Sequence, residues 1–210
     1  MKLYRTIFLL MLGLVARSAL ASPESDFCTW FQQNEGEIYH FESKQEAVFD
    51  KLAVRMHKVN PVLTFEFGPI EGGKREFVIS ADGIKEAFAS VEKLHAAAPP
   101  LKKWKVTKFR PRRSPFDIDY KGVTVQAASV TVVVQKEGTK IAALVLIPGY
   151  SKSKHDIYLG IAFLILDQAL GEYDVETRIG AIDVSAPSAR FDKSSTVAQL
   201  PTVFDNLLGR

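Results

Sequence analysis

The stretch that most constrains the fold is residues 141–184, the most apolar part of the chain after its first 21 residues. It reads as an apolar strand (IAALVLIP), a polar turn (GYSKSKHD) and a long apolar helix (IYLGIAFLILDQAL). Apolar residues occupy nearly the whole circumference of that helix, which is typical of a helix buried on all sides. Gly171 suits the position just past a helix C-terminus. We therefore expect helix 157–170 to lie at the centre of the molecule.

The run that follows this helix alternates polar and apolar residues and predicts a strand over 173–184, with a kink at Gly180. On such a strand, Glu172, Asp174 and Glu176 would share one face and be spaced about 7 Å apart. A row of this kind offers oxygen ligands to Ca²⁺, or a carboxyl group whose pKa is raised by its neighbours. The alternative is a solvated strand face whose acids pair with nearby basic residues.

The order of elements predicts an α+β fold. Two amphipathic helices in tandem between residues 27 and 59 indicate an N-terminal αα-hairpin. VLTFEF and REFVIS predict a β-hairpin, as do SVTVVVQ and KIAALVLI. Because strands come in hairpins rather than alternating strictly with helices, we expect one domain with a mainly antiparallel sheet of five to seven strands. Four to five helices would pack on that sheet, and residues 185–210 form a tail that could be flexible.

The first 21 residues have the pattern of a secretory signal peptide. Lys2 and Arg5 precede a short apolar run, and Ala19-Leu20-Ala21 supplies the small residues of a cleavage site. The apolar run has about 11 residues, and a membrane-spanning helix needs roughly 20. We therefore expect a periplasmic or secreted protein whose mature domain, residues 22–210, has no transmembrane segment.

Removal of the signal peptide also removes the excess of positive charge. The chain has 27 basic and 24 acidic residues, and three of the basic ones lie in the first 21 residues. The mature chain is therefore formally neutral, and its composition does not argue for nucleic acid as a partner. Cys28 is the only cysteine. It cannot form an internal disulfide, and its aromatic neighbours favour a buried thiol over a bond to another chain.

One segment of the mature chain is strongly basic. Seven cations and no acid lie between residues 102 and 113, interleaved with aromatic residues: Lys102, Lys103, Trp104, Lys105, Lys108, Phe109, Arg110, Arg112 and Arg113. In an exported protein such a segment favours binding to an acidic protein or to an anionic component of the cell envelope. The alternative is an edge strand protected from aggregation by its charges. Internal pairing with the row of three carboxylates would explain both features at once.

No catalytic motif is complete in this chain. Residues 149–153 (GYSKS) resemble a nucleophile elbow, but Ser153 stands where the motif requires glycine. His155 is too close to Ser151 in sequence to be its triad histidine, and the other histidines are isolated, which gives no support for a transition-metal site. We predict a non-catalytic binding protein of the cell envelope, without a cofactor. The alternative is an uncharacterised hydrolase or metal-dependent enzyme that uses Glu172, Asp174 and Glu176 with Tyr173 or His155.

Several strings in the chain resemble the signatures of a bacterial family of exported proteins of unknown function. They are WFQQNEGEIYHFE, NPVLTFEFGP, KREFVISADGI, APPLKKW with FRPRR, and LDQALGEYDVETRIG, which lie within residues 29–180. The resemblance implies a bacterial, exported protein. It implies no catalytic residues, so no site is transferred from it.

Overall fold

The computed structural model describes residues 22–191 and 193–210, so the predicted signal peptide lies outside the described residues. The helices are α1 (Pro23–Tyr39), α2 (Gln45–His57), α3 (Phe88–Ala97), α4 (His155–Leu170), α5 (Glu172–Arg178) and α6 (Leu200–Leu208). The strands are β1 (Thr64–Glu71), β2 (Lys74–Ser80), β3 (Trp104–Lys108), β4 (Ile118–Tyr120), β5 (Val123–Val125), β6 (Thr131–Glu137), β7 (Lys140–Leu146), β8 (Ile179–Ser185) and β9 (Ser195–Thr196). The predicted α+β class is confirmed.

The strands form three small sheets rather than a single one. The first has the order β1-β2-β3, the second is the hairpin β4-β5, and the third has the order β8-β7-β6-β9. Most neighbours are antiparallel, but β3 is parallel to β2 and β8 is parallel to β7. Both parallel pairs have helices between their strands, because a parallel partner needs a crossover connection. Gly180 is skipped in the pairing of β8 with β7, which places a β-bulge at the predicted kink.

The first half of the chain packs its three helices against the sheet β1-β2-β3. Helices α1 and α2 follow one another and contact each other, as the predicted αα-hairpin requires. The Phe31 ring lies 4.8 Å from that of Phe77 and 5.1 Å from that of Trp104, at the centre of an aromatic core. Cys28 is buried there, and burial raises the pKa of its thiol to about 11. The thiol therefore stays protonated at neutral pH.

The second half of the chain is built around α4. This helix contacts β4, β8, α5 and α6, and its residues Ile161, Ile165 and Leu166 are fully buried. The predicted central helix is therefore confirmed, with its start at His155 rather than at residue 157. Phe204 of α6 is fully buried in the same core, so the last part of the predicted flexible tail is packed.

The segment that follows α4 differs from the sequence prediction. Residues 172–178 form the helix α5, and only residues 179–185 form a strand. Glu172, Val175 and Ile179 are buried, and their spacing is that of a helix face rather than the alternation of a strand. Gly171 allows a second helix to begin directly after α4, because its φ of +81° turns the chain sharply between the two helices.

Candidate binding site at the junction of two cores

The buried apolar side chains form two separate clusters, one drawn from residues 27–109 and the other from residues 118–204. Residues 110–113 (Arg-Pro-Arg-Arg), hereafter the arginine segment, run between them. Just before this segment, the Phe109 amide donates a hydrogen bond to the Ile79 carbonyl (2.7 Å), and at its end the Arg113 amide donates one to the Gln168 carbonyl (2.7 Å). The segment is therefore attached to a strand of the first core and to α4 of the second.

Arg110 joins acids from both halves of the molecule. Its Nε donates to Asp167 Oδ2 on α4 (2.7 Å), and its Nη1 donates to Asp82 Oδ1 after β2 (2.9 Å). Burial alone would lower the pKa of Arg110, but the nearby Asp167 and Asp82 outweigh that effect and the pKa is raised. The guanidinium therefore remains charged in the junction.

Glu172 forms the second connection across the junction. Its side chain is fully buried at the first position of α5. It accepts backbone hydrogen bonds from Ala81 (2.9 Å), Gly83 (3.3 Å) and Arg110 (3.0 Å). Three N–H groups offset much of the cost of burying a carboxylate. Glu172 thus fixes the loop after β2 and the arginine segment to α5, and it is not free to bind a ligand.

Arg112 holds the end of the chain against α5. Its Nη1 and Nη2 donate to the two carboxylate oxygens of Asp205 on α6 (both 2.8 Å), and Nη2 also donates to Asp174 Oδ2 on α5 (2.9 Å). Arg210 bonds to the same two carboxylates. The hydrogen bond from Arg112, helped by that from Arg210, lowers the pKa of Asp205 to about 2.

Arg113 binds Glu76 on the sheet of the first core. Its Nη2 donates to Glu76 Oε2 (2.6 Å), and the Thr107 hydroxyl donates to Glu76 Oε1 (2.6 Å). Burial would raise the pKa of Glu76, but these two hydrogen bonds outweigh it and the pKa is lowered. The neighbouring Gly68 leaves the room for this pair, because a Cβ there would lie 2.9 Å from Glu76 Cβ.

The predicted row of three carboxylates does not exist as a strand face. The three residues lie on a helix, where Glu172 binds backbone amides and Asp174 is bound to two arginines. Glu176 has a pKa raised by burial and by its neighbour Glu172, but it does not converge with the others on a common point. Within residues 22–191 and 193–210, no group of three or more His, Cys, Asp or Glu residues is arranged to hold a metal ion. The alternative that uses this row as a catalytic or metal site therefore loses its geometric basis.

The predicted internal pairing of the basic segment with these acids does occur. It joins Arg112 to Asp174 and the Arg110 amide to Glu172. The partners come from the arginine segment and a helix, and not from two strands. The other predicted catalytic candidates lie elsewhere: His155 Nδ1 is 3.0 Å from the Tyr150 hydroxyl, whereas Tyr173 is half-exposed and packs on the Phe109 ring at 5.2 Å.

The predicted binding segment divides into an inner and an outer part. Its arginines bind acids within the molecule, as described above. Its four lysines are exposed along β3 and the turn before it, and this surface is hereafter the lysine edge (Lys102, Lys103, Lys105 and Lys108). Trp104 was predicted to share that surface, but it is only 2% exposed and cannot contact a partner. Strand β3 is the edge of its sheet, as the alternative interpretation required.

Two cavities lie on either side of the arginine segment, since Arg110 and Pro111 line both. The first, hereafter the Tyr173 cavity, has a volume of about 430 Å³ and is bounded by Lys108 and Tyr173. The second, hereafter the Asp167 cavity, has a volume of about 300 Å³.

Sequence reasoning did not identify Asp167 as a functional candidate. The available signal was its position, because it is the only charged residue within the mostly apolar stretch 157–170. A charge at such a position is buried, and a buried charge needs a partner.

No protein-family model, curated protein or solved structure matches this chain. The resemblance to a bacterial family of exported proteins therefore stays a prediction. In the part of the chain that the structure describes, the helices are too short or too polar to cross a membrane.

Proposed function

We propose that the protein is a non-catalytic binding protein that captures an anionic partner of the cell envelope along the lysine edge. The observation that carries this proposal is the division of the basic segment. The arginines serve the junction between the cores, whereas four lysines within seven residues are exposed. Two of them, Lys105 and Lys108, lie 3.5 Å from Glu76 and Glu92, but their side chains remain about half exposed or more. Exposed lysines at the rim of a surface attract negatively charged partners and raise their association rate.

The Tyr173 cavity supports the same proposal. Lys108 lines it together with Glu92, whose Oε1 lies 3.5 Å from Lys108 Nζ, so one end of the lysine edge contributes to its wall. Half-exposed Tyr173 and buried Phe109 provide an aromatic wall beside that charge. Such a wall suits an apolar group attached to the anion, because aromatic residues supply much of the contact energy of binding surfaces. The partner we expect is an acidic protein or an anionic envelope component with an apolar group next to its charge.

The variant that tests this proposal is the charge reversal K102E/K103E/K108E. These side chains are exposed, so the fold should survive. Lys105 is left unchanged because its Nζ lies 3.5 Å from the buried Glu76, and reversal of Arg112 or Arg113 would likewise disturb the junction. We expect at least a tenfold loss of affinity at low salt, which corresponds to about 1.4 kcal/mol. The measurement is binding to phosphatidylglycerol vesicles and, separately, to polyglutamate, and the two arms distinguish a lipid from an acidic protein.

The matched control is K136E/K152E/K154E, which changes the net charge equally on exposed lysines of the second half. Retained binding by this control and loss by the first variant would support the lysine edge. Equal losses in the two variants would show an effect of net charge alone and would contradict the proposal. Absence of binding by the wild-type chain to both probes would contradict it as well.

A further inference from the structure

The Asp167 cavity lies between the two halves of the molecule. Its walls include Glu66 of β1, the chain around Phe116 and Asp119, and Leu164 and Asp167 of α4. With a volume of about 300 Å³, it is at the lower end of the usual range for small-molecule sites. Contributions from several elements to one concave surface are typical of such sites.

Asp167 has a buried oxygen without a partner. The side chain is only 7% exposed, and its Oδ2 accepts the hydrogen bond from Arg110 Nε. Its Oδ1 is buried and receives no hydrogen bond from any described residue. Leaving a buried acceptor unsatisfied costs about 1–3 kcal/mol, and such groups are rare in folded proteins. Because Oδ1 has almost no accessible surface, it acts on the cavity through its uncompensated charge and not by direct contact.

The charge on the cavity wall favours a positively charged ligand. The wall includes four carboxylates (Glu66, Asp117, Asp119 and Asp167) and two guanidinium groups (Arg110 and Arg113). Each guanidinium is also bound to a carboxylate outside the wall, Arg110 to Asp82 and Arg113 to Glu76. The positive charges are thus compensated from elsewhere, and the cavity keeps an excess of negative charge.

Two of the carboxyl groups on the wall have raised pKa values. Burial raises the pKa of Asp167 to about 6 against the effect of Arg110, and the neighbouring Glu172 and Glu66 add to the rise. Burial likewise raises the pKa of Glu66, against the effect of Arg110 and Arg113. A bound cation would remove this repulsion, because an opposite charge nearby favours the ionised carboxylate.

The shape and composition of the wall favour an organic cation over a metal ion. Ca²⁺ needs six to eight oxygen ligands around one point, and the described residues include no such group. Phe116, by contrast, is 58% exposed beside the carboxylates, and Leu164 adds an apolar surface. An exposed aromatic ring next to acids is suited to the alkyl portion and charge of an amine or guanidinium.

We propose that the Asp167 cavity binds a small organic cation, a primary amine or a guanidinium with a short apolar chain. Its N–H donates to the accessible carboxylates of Glu66 and Asp119, its charge compensates that of the buried Asp167, and the chain lies against Phe116 and Leu164. This site is separate from the lysine edge and selects the opposite charge.

The test uses the full chain, with agmatine and n-butylamine as probes and butyrate as the anion of matching length, measured by isothermal titration calorimetry. We expect both cations to bind and butyrate not to bind. Asp167→Asn should lower the affinity for agmatine at least tenfold, because the amide keeps an acceptor for Arg110 but removes the charge. Phe116→Ser changes an exposed residue that does not support the core, and it should lower the affinity for both cations severalfold.

The matched control is Asp50→Asn, an exposed acid on α2, which should bind the cations as the wild type does. Absence of cation binding to the wild-type chain would overturn the proposal. So would unchanged affinity in both Asp167→Asn and Phe116→Ser, or binding of butyrate as strong as that of n-butylamine.

Discussion

At the junction, the hydrogen bonds and ion pairs of a few side chains hold together segments that apolar packing holds together elsewhere in the molecule. Glu172 brings three backbone amides together from two segments of the chain, and Arg110 joins two carboxylates that are 85 residues apart in the sequence. Burying such charges is expensive, and removal of one partner leaves the other without compensation. Asp167 already bears part of this cost of burying a charge, because only one of its two oxygens accepts a hydrogen bond.

Asp167 predicts a pH dependence of stability in the mildly acidic range. Its pKa is raised from 3.8 to about 6 in the folded protein, so the folded chain holds this proton more tightly than the unfolded chain. The contribution of this proton to the free energy of unfolding is therefore complete below pH 3.8 and is lost as the pH rises through 6. We expect Asp167→Asn to remove this decline. As the pH rises through this interval, the free energy of unfolding of the variant should therefore increase relative to that of the wild type.

Urea denaturation at several pH values between 4 and 7 measures this difference. Asp50→Asn again serves as the control and should keep the wild-type pH dependence. If the curves of wild type and Asp167→Asn stay parallel over the whole interval, the carboxyl does not titrate there and the prediction is wrong.

At the scale of elements, the close succession of α4 and α5 determines the shape of the junction. The two helices are separated only by Gly171, whose backbone φ of +81° is rarely adopted by other residues. A Cβ at this position would also lie 3.1 Å from the Arg110 carbonyl oxygen and 3.3 Å from the Arg112 amide nitrogen. The arginine segment can therefore approach the helix ends only because this residue has no side chain.

We expect Gly171→Ala to lower the free energy of unfolding by about 2 kcal/mol or more, from backbone strain and from displacement of the arginine segment. Gly36→Ala is the matched control. Gly36 lies within α1 with open space around it, so alanine should stabilise the protein by up to about 1 kcal/mol. Chemical denaturation measures both values, and equal effects of the two substitutions would contradict the assigned role of Gly171.

The elements that sequence reasoning predicted correctly are those that local pattern determines. The hairpins β1-β2 and β6-β7 have alternating residues and short turns, and α4 is apolar over four turns. Helix α5 was predicted as a strand because, over seven residues, alternation of acids with apolar residues fits both structures. What decides in favour of the helix is the bonding of Glu172 to amides about 60 to 90 residues away, and no local pattern contains that information.

The candidate site was predictable only in part for the same reason. The basic segment and the acids of α5 were recognised as complementary charges, and Arg112 does bind Asp174. The separation of arginines from lysines was not foreseen, although their chemistry explains it. A guanidinium binds two carboxylate oxygens at once and suits a buried junction, whereas an ammonium is more strongly hydrated and stays outside.

At the scale of the whole molecule, two apolar cores are joined by a polar junction. Each core has its own sheet or sheets and its own helices. Units of this kind unfold together only when the contacts between them are strong enough to couple them. Here most of the identified contacts of the junction are hydrogen bonds and ion pairs of the arginine segment, Glu172 and their partners, so coupling depends on a small number of residues.

We expect Glu172→Ala to uncouple the two cores, because it leaves three backbone amides without an acceptor and lowers the free energy of unfolding by about 3 kcal/mol. Both tryptophans, Trp30 and Trp104, belong to the first core. Their fluorescence therefore reports that core alone, whereas far-ultraviolet circular dichroism reports both. In urea the two signals should coincide for the wild type and separate for the variant.

The control for this experiment is Glu176→Ala, a carboxylate on the same helix with no hydrogen bond of this kind. It should leave the two transitions coincident and change stability by at most about 0.5 kcal/mol. Coincident transitions in Glu172→Ala would show that the cores are coupled by other contacts.

The junction also sets an order of events for a chain as it is synthesised. The first core draws on residues 27–109, so it can form as soon as those residues have emerged. Arg110 finds Asp167 only 57 residues later, and Arg112 finds Asp205 only 93 residues later. We therefore expect the newborn protein to pass through a stage in which one half is finished. At that stage Arg110 and Arg113 already have Asp82 and Glu76, whereas Arg112 still lacks both of its acids. Because an unpaired guanidinium stays hydrated, the surface that the second half later covers should resist the premature association to which half-folded chains are prone.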